Sequence, residues 1–359
     1  MHRRDGSRLT TITEMMALDT IIARLKALRV SADSLIWHRF FGSLLLVLLV
    51  LLFISGAFLS LYYSPVPGSA YDSVDYTLYT LPFGNIIKGV HHYSWNLLLI
   101  VMGLHMGRAF IFGAYKPPRQ LVWVSGVLIM LLIPVMIITG DLLPWDQNGF
   151  WTTQVRLSII DSVPLVGDLF VRLLQGGPLT GTVALTRFYV LHILFLPTLL
   201  IFLIVTHFHL INTSGLSGPF FKDDSRRRSI SFFPQLVNRW LFLFIVVTAL
   251  LGLISWHWPA PLGDPADPSD SAFVPIPEWW VLFLNQLVTI FKGSLSVFGS
   301  VIIPGGLFAL LIILPFIDAS PGRHLGQRKV IMFIAVIIIL ILLSLSLLGF
   351  FAHFNQPHV

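Results

Sequence analysis

Seven stretches of mostly apolar residues, separated by shorter polar segments, set the pattern of this chain. Their approximate bounds are 37–62, 90–113, 121–140, 185–211, 237–257, 296–317 and 329–353. A membrane-spanning helix needs about 20 predominantly apolar residues, and each stretch meets that length. The pattern therefore predicts an all-α integral membrane protein with seven transmembrane helices.

Three further segments predict structure outside these spans. Residues 148–180, between the third and fourth spans, are moderately apolar and interrupted by Pro and Gly, which predicts short helices at the membrane interface. Residues 258–280 are rich in Pro, Asp and Ser, which predicts an extended surface loop. Residues 16–30 place apolar side chains at helical spacing with basic residues between them, which predicts an amphipathic helix on the membrane surface.

The composition agrees with a membrane protein and narrows its chemistry. Of 359 residues, 55% are hydrophobic and only 11% are charged, and the mean hydropathy is +0.83. A soluble domain of this size would need more charge to cover its surface. The chain has no cysteine, which excludes disulfides, covalent c-type haem attachment and iron–sulfur clusters held by this chain. Its strong nitrogen ligands are therefore the 12 histidines.

The distribution of positive charge predicts how the spans are oriented. Seven spans place alternate loops on opposite sides of the membrane. All but five of the 23 Lys and Arg residues fall on the side of the N-terminus, the five being Lys88, Arg156, Arg172, Arg187 and Lys292. Short cytoplasmic loops are enriched in Lys and Arg, so we expect a cytoplasmic N-terminus in a bacterial inner membrane. The pI of about 9.7 then reflects topology, and no nucleic-acid partner is expected.

Two histidine pairs inside the apolar stretches give the strongest functional signal. His91 and His105 lie in the second span, and His192 and His207 lie in the fourth. At 100° per residue the first pair is about 40° from full alignment and the second about 60°, so each pair shares one broad helix face. An intramembrane histidine is costly and usually functional. Four of them at matching depths predict two bis-histidine metal centres stacked across the membrane, which suits electron transfer.

Glycines with a matching spacing support this interpretation. Gly42 and Gly56 lie in the first span, Gly126 and Gly140 lie in the third, and each pair is separated by fourteen positions. Glycine opens space beside a helix for a flat, bulky ligand. A four-helix bundle of two histidine helices and two glycine helices would therefore hold two haems. The alternative is that these glycines serve ordinary helix–helix packing.

Three basic residues lie close to the histidines in sequence. Lys88 precedes His91, Arg108 follows His105, and Arg187 precedes His192. Because the propionates of haem need positive partners, these residues are candidates for binding them. Arg108 and Arg187 could equally be anchors at the membrane interface.

Other functions stay open on this reasoning alone. An intramembrane histidine can also serve packing or relay protons, and a transporter that uses histidines in this way would carry no haem. Among electron carriers, the alternative is a di-haem membrane anchor of a respiratory dehydrogenase that exchanges electrons with the quinone pool.

The chain resembles the cytochrome b family of quinol–cytochrome c oxidoreductases. The motifs that carry the resemblance are WHRFFGSLL, VHHYSWN, LHMGR, GDLLPWDQNGFW, THFHLINTSGLSGP, PEWW and LPFID. The chain looks like a fusion of the chloroplast-type cytochrome b with its subunit IV. On this resemblance, 1–30 is an N-terminal cytoplasmic segment, 31–220 is a di-haem four-helix domain, and 221–359 is a three-helix domain that contains the PEWW loop.

The resemblance implies two non-covalent b-type haems. One would be held by His91 and His192 near the outer face, and the other by His105 and His207 near the inner face. Phe40 stands where the chloroplast-type branch has a cysteine for an additional haem, so a covalent third haem is not expected.

The resemblance also implies two quinone sites. Glu278 lies in a Pro-rich apolar loop before the sixth span, and a carboxylate partly withdrawn from water can accept the proton of a quinol. Its alternative role is to cap a helix. The residues expected around it are Pro277, Trp279, Trp280, Trp145, Phe150 and Trp151. On the inner side, the candidates for a quinone site are Asn212 and Asp223.

The implied mechanism is bifurcated oxidation of quinol, coupled to proton translocation. One electron would leave for a Rieske-type iron–sulfur protein and then a c-type cytochrome. The other would cross both haems to a quinone at the inner site. The implied assembly is a homodimeric complex of several subunits.

Overall fold

The computed structural model describes residues 23, 29–31, 40–215, 229–320 and 322–354. The amphipathic helix predicted for residues 16–30 falls almost wholly outside these ranges. At its predicted end, β1 (Arg29–Ser31) instead pairs antiparallel with β2 (Ser229–Ser231), with Arg29 opposite Ser231. Local sequence patterns do not predict this pairing, because its two strands are far apart along the chain.

Long apolar helices make up most of the described structure. In chain order the helices are α1 (Phe40–Tyr62), α2 (Pro67–Tyr79), α3 (Gly84–Ile111), α4 (Gln120–Asp141), α5 (Gln147–Asp161), α6 (Gly167–Gln175), α7 (Thr182–Ser214), α8 (Val237–His257), α9 (Leu282–Ile290), α10 (Phe298–Ile317) and α11 (Lys329–Phe354). Seven of them are long and apolar enough to cross a membrane, namely α1, α3, α4, α7, α8, α10 and α11. In lipid a helix satisfies its own backbone hydrogen bonds. The predicted all-α membrane fold with seven spans is confirmed.

The bounds of the spans agree with the hydropathy pattern except at α3. This helix begins at Gly84 rather than near residue 90, and its first two turns contain Asn85 and Lys88. These polar residues lower the local hydropathy without preventing a helix at the membrane interface. The predicted short helices between the third and fourth spans are α5 and α6. Sequence patterns do not predict α2 or α9.

A π-helical turn at Leu191–Phe195 interrupts α7 and contains His192. A π turn accommodates one extra residue within an α-helix and often marks a functional site. The spacing from His192 to His207 is one residue longer than the spacing from His91 to His105. The π turn absorbs this extra residue, so the two histidines of α7 return to the same face.

The spanning helices pack as two pairs that are extended by the C-terminal helices. Helix α1 packs against α3, α3 against α8, and α4 against both α7 and α10, whereas α9 packs against α11. The main core lies between these helices and includes Leu48, Leu98, Ile133, Leu200 and Leu251, each less than 9% exposed. A glycine helix therefore packs beside a histidine helix in both pairs, which positions the site described below.

The two ends of the bundle are built differently. One end, called here the Glu278 side, contains α2, α5, α6, α9 and the loop 258–278. Tyr71 of α2 and Tyr93 of α3 hold this loop by hydrogen bonds to the carbonyls of Gly263 (3.0 Å) and Trp258 (2.8 Å). The other end, called the opposite side, contains the α3–α4 and α10–α11 loops.

Candidate functional site: two histidine pairs and the Glu278 loop

The first histidine pair consists of His91 on α3 and His192 on α7. Their ring centroids are 6.4 Å apart, and the ring planes are inclined by 69°. A metal ion bound to one nitrogen of each ring at about 2.0 Å would leave the centroids roughly 6 Å apart. The two rings are therefore spaced as two axial ligands of one metal ion.

The second pair, His105 and His207, lies four turns further along the same two helices. His105 is in electrostatic range of His207, and the two rings pack against Gly42 on α1 and Gly126 on α4. A second pair of neighbouring imidazoles thus lies towards the opposite side.

Each of the four predicted glycines faces one of the four histidines. From the position of an added Cβ to the imidazole Cε1, the distances are 3.6 Å for Gly42 and His105, 3.2 Å for Gly56 and His91, 3.4 Å for Gly126 and His207, and 2.7 Å for Gly140 and His192. The imidazole rings therefore lie directly against the glycines, and the expected space for a flat ligand beside them stays a prediction. A side chain at Gly140 would collide with His192. The glycines therefore set how closely α1 and α4 approach the histidine helices α3 and α7.

Three hydroxyl residues hold the Nδ1 atoms of the histidines. Nδ1 of His91 lies 2.9 Å from the hydroxyl oxygen of Ser55. Nδ1 of His207 lies 2.8 Å from that of Ser125, and Nδ1 of His192 lies 3.2 Å from that of Thr139. Nδ1 of His192 also lies 2.9 Å from the carbonyl of Met136. Each hydroxyl residue immediately precedes one of the glycines.

These contacts favour a proton on Nδ1 in His91, His192 and His207. The hydroxyls of Ser55, Ser125 and Thr139 donate to backbone carbonyls of their own helices, at 2.6 to 3.1 Å. Each hydroxyl has one proton, so towards the histidine its oxygen accepts and Nδ1–H donates. Nε2 then keeps its lone pair, which is the form of imidazole that binds a metal.

The donor set fits haem iron. Among the described residues, no group of three or more His, Cys, Asp or Glu side chains comes together to hold a metal ion. Two neutral imidazoles on opposite sides suit an iron whose remaining four ligands come from a porphyrin. Sequence reasoning missed the hydroxyl–glycine pairs, although the adjacent letters at 55–56, 125–126 and 139–140 carry that signal.

The three predicted propionate partners already have protein contacts. Lys88 Nζ donates to the carbonyl of Pro261 (3.1 Å), and Arg187 Nη1 donates to the carbonyls of Arg172 (3.0 Å) and Leu173 (2.7 Å). The guanidinium of Arg108 lies over the ring of Phe112 at 5.3 Å. Their assignment to haem stays a prediction.

Glu278 lies half-buried just before a short 3₁₀ turn, Trp279–Val281. Burial raises its pKa to about 7, with a further rise from nearby Asp141 that Arg156 opposes. Trp279 Nε1 donates to Oδ1 of Asn96 at 2.7 Å, and Trp280 packs against the main core. A carboxyl group in this setting can exchange a proton near neutral pH.

The segment 145–148, within the predicted GDLLPWDQNGFW motif, holds the loop that carries Glu278. The backbone nitrogen of Gln147 donates to Asp264 O (2.9 Å), and that of Ala266 donates to Trp145 O (3.0 Å). Asn148 Oδ1 accepts from the backbone nitrogen of Ile276 at 2.7 Å, two residues before Glu278. Residues 145–148 are called here the docking strip, and their hydrogen bonds to this loop were not predicted.

Phe150, Asn212 and Asp223 complete the predicted quinone-site residues. Phe150 is 3% exposed and packs within a local core that includes Trp145, which is the environment of a supporting side chain. Asn212 is exposed near the end of α7 on the opposite side. Asp223 lies outside the described residues.

Comparisons with known proteins identify the family and the fold. The family model "cytochrome b (N-terminal)/b6/petB" matches residues 96–265. The menaquinol:cytochrome c reductase cytochrome b subunit of Geobacillus thermodenitrificans is 41% identical over 180 residues, which are 50% of this chain and 80% of that protein. Cytochrome b6 of a Synechococcus species is 38% identical over 178 residues, which are 50% of this chain and 82% of that protein. A solved structure described as a hyperthermophilic respiratory Complex III matches with a TM-score of 0.80 and 26% identity, over 95% of this chain and 91% of that chain.

A bundle of apolar helices with paired intramembrane histidines is the arrangement of a membrane cytochrome. Within that class, the chain belongs to the cytochrome b/b6 family. The predicted resemblance is confirmed. The structural match covers 95% of the chain and so includes most of α8–α11, whereas their likeness to subunit IV stays a prediction.

Proposed function

We propose that this chain is the cytochrome b subunit of a quinol–cytochrome c reductase that oxidises quinol on the Glu278 side and reduces quinone on the opposite side. Its family makes it a redox subunit of a bc- or b6f-type membrane complex. The observation that carries the proposal is the facing of His91 and His192 at 6.4 Å, with Nδ1 of each held by a hydroxyl.

Four histidines would hold two b-type haems. His91 and His192 would bind one from both faces, and His105 and His207 would bind the other. When bound, the two haems would carry single electrons between the two quinone sites through the low-dielectric interior. Hydrogen bonds at Nδ1 favour the metal-binding tautomer of His91, His192 and His207, and two imidazole ligands for each haem would suit electron transfer.

Glu278 is the proposed acceptor for a proton of the quinol. The quinol must lose protons as it loses electrons, and a general base acts best when its pKa is close to the working pH. The pKa of Glu278, raised to about 7, meets that requirement. The hydrogen bond from Ile276 to Asn148 keeps the loop over α5, so the carboxyl group stays at the rim of the bundle.

The orientation of the protein in the membrane is inferred from the distribution of its basic residues. The opposite side carries the basic loops and is proposed to face the cytoplasm, together with the N-terminus, in a bacterial inner membrane. Protons would leave from the Glu278 side and be taken up on the opposite side. Asn212 and Asp223 are the proposed residues of the quinone-reducing site.

The proposed partners follow from the family. Electrons that do not cross the membrane need a mobile acceptor, which we assign to a Rieske-type iron–sulfur protein and a c-type cytochrome in a homodimeric complex. The 31–220 domain would bind the haems, and the 221–359 domain would supply the Glu278 loop. A di-haem dehydrogenase anchor would have no use for that loop or for α8–α11.

Redox titration of the purified complex tests the proposal. We expect two low-spin b-type components with separate midpoint potentials, together with a co-purifying iron–sulfur protein and inhibition by a quinol analogue. A chain with a single b-type component, or with no haem, would contradict the proposal. Two components without the iron–sulfur protein or the inhibition would favour the dehydrogenase anchor.

A further inference from the structure

Asp141 and Arg156 form an ion pair beside the Glu278 loop. Asp141 is the last residue of α4, and Arg156 lies on α5. Arg156 Nη2 is 2.7 Å from Asp141 Oδ2, and each side chain is 18% exposed. A mostly buried ion pair is costly to desolvate and contributes little to stability in return. Its placement at the rim of the bundle therefore calls for another role.

The guanidinium of Arg156 has a second terminal nitrogen, Nη1, for which no hydrogen bond to Asp141 is found. Nη1 is buried and has no hydrogen-bond acceptor among the described residues. A buried charged donor without an acceptor is unfavourable, and here the opposite nitrogen is already occupied by Asp141. Nη1 is therefore available to an oxygen that a ligand brings.

Glu278 is the third member of this group. The charged groups that act on it are Asp141 from α4 and Arg156 from α5. Asn148, also on α5, accepts a hydrogen bond from the backbone nitrogen of Ile276, two residues before Glu278. One ion pair and one titratable carboxyl group thus lie within electrostatic range of each other where quinol is proposed to bind.

We propose that Arg156, held by Asp141, is a positioning residue of the Glu278-side quinol site and donates from Nη1 to a quinol oxygen. This inference rests on the proposed function. When the quinol O–H bond breaks, an O–H bond forms on Glu278, and the oxygen left behind carries a negative charge. A preorganised guanidinium stabilises such a developing charge. The pair also sets the proton affinity of Glu278, because Asp141 favours its protonated form and Arg156 its ionised form.

The test measures quinol oxidation against pH in the purified complex, with a short-chain naphthoquinol as the probe. Glu278 must be ionised to accept a proton, so the rate rises with pH through its pKa. This rising part of the pH–rate profile is called here the pH limb. Asp141→Asn leaves Arg156 unopposed and should move this limb to lower pH by roughly one unit. Arg156→Gln should move it to higher pH by a similar amount.

Arg156→Lys separates the two roles of the guanidinium. It keeps the positive charge, so the pH limb should stay near that of the wild type. It lacks a second nitrogen in the planar fork, so the KM for the quinol should rise about tenfold, as expected for one lost charged hydrogen bond. If Arg156→Gln does not assemble, Arg156→Lys and Asp141→Asn decide the matter.

The matched control is Arg172→Gln on α6, which breaks an ion pair with Asp168 of similar length (2.8 Å) with side chains 77% and 69% exposed. It should leave both the pH limb and the KM unchanged. An unshifted limb in Asp141→Asn together with a wild-type KM in Arg156→Lys would overturn the inference.

Glu278→Gln distinguishes this failure from failure of the proposed function. If Glu278→Gln removes the pH limb while the pair variants leave it in place, only the role of the pair is wrong. If Glu278→Gln retains both the wild-type rate and the limb, the proposed function of Glu278 fails as well.

Discussion

On the Glu278 side, hydrogen bonds from backbone and amide groups, two tyrosine hydroxyls and Lys88 hold the long loop, whereas on the opposite side a cluster of buried charged side chains joins two loops. Arg328, 1% exposed, donates to the carbonyls of Phe110 (3.0 Å) and Ile111 (2.5 Å) and to the hydroxyl of Tyr115 (3.0 Å). Lys116 Nζ forms an ion pair with Asp318 Oδ1 at 3.2 Å. This group, called here the Arg328 cluster, joins the α3–α4 loop to the α10–α11 loop.

The carboxyl groups at the two ends differ accordingly. Burial alone would raise the pKa of Asp318, but hydrogen bonds from Ser320, Tyr115 and Lys116 hold it below its ordinary value. Burial and Asp141 instead raise the pKa of Glu278 to about 7. A carboxylate surrounded by donors stays ionised and serves structure. One with little donor support can exchange protons, so we assign a structural role to Asp318 and proton chemistry to Glu278.

Removing the carboxylate of Glu278 should have the largest effect. Glu278→Gln keeps the shape of the side chain but cannot accept a proton, so quinol oxidation should fall by about 10²–10⁴-fold. The rise in rate through about pH 7 should disappear, while haem content and thermal stability stay unchanged. Stopped-flow kinetics across pH 5–9, roughly two units on either side of that pKa, measure this. Asp267→Asn, in the same loop and exposed, is the control and should behave as wild type.

Breaking the Arg328 cluster should affect stability instead. Arg328→Leu leaves the carbonyls of Phe110 and Ile111 without their donor and should destabilise the protein by about 3–5 kcal/mol. Thermal unfolding in detergent measures the loss. The exposed neighbour Lys329→Leu is the control. A changed pH profile of quinol oxidation in assembled Arg328→Leu would contradict a purely structural role for the Arg328 cluster.

Asp318→Asn should give a smaller, pH-dependent loss of stability. Its hydrogen bonds favour the ionised form, so removal of the charge should cost about 1–3 kcal/mol at pH 7. Because the folded-state pKa is below the ordinary value, the stabilisation is complete above about pH 4 and is lost as pH falls through the folded pKa. Wild type and variant should therefore converge in acid, and a constant difference down to pH 3, roughly one unit below that ordinary value, would argue against this role.

The smallest effect is expected at the docking strip. Asn148→Ala removes the acceptor for the backbone nitrogen of Ile276, which should destabilise the loop by about 0.5–1.5 kcal/mol. Faster hydrogen exchange at residues 274–278 measures this local opening. Residues 318–328, on the opposite side, serve as the internal control and should exchange as in the wild type.

The sequence predicted what depends on composition and helical periodicity. Seven apolar stretches indicated the spans, and the spacing of His91 and His105 indicated a shared face. It did not predict the π turn at Leu191–Phe195, because hydropathy is insensitive to one inserted residue. It also missed the Arg328 cluster and the pairing of Asp141 with Arg156, since both depend on the packing of separate elements against one another. The haem-ligand and quinone-site roles stay predictions until they are measured.

Haem content and redox titration of His207→Leu test the central claim most directly. The wild type should contain two haems b per chain, and the variant should lose the component held by His105 and His207 while it keeps the one held by His91 and His192. Loss of one haem and one midpoint potential is the predicted result. Retention of both haems, or loss of both from a chain that still assembles, would contradict the pairing of α3 with α7.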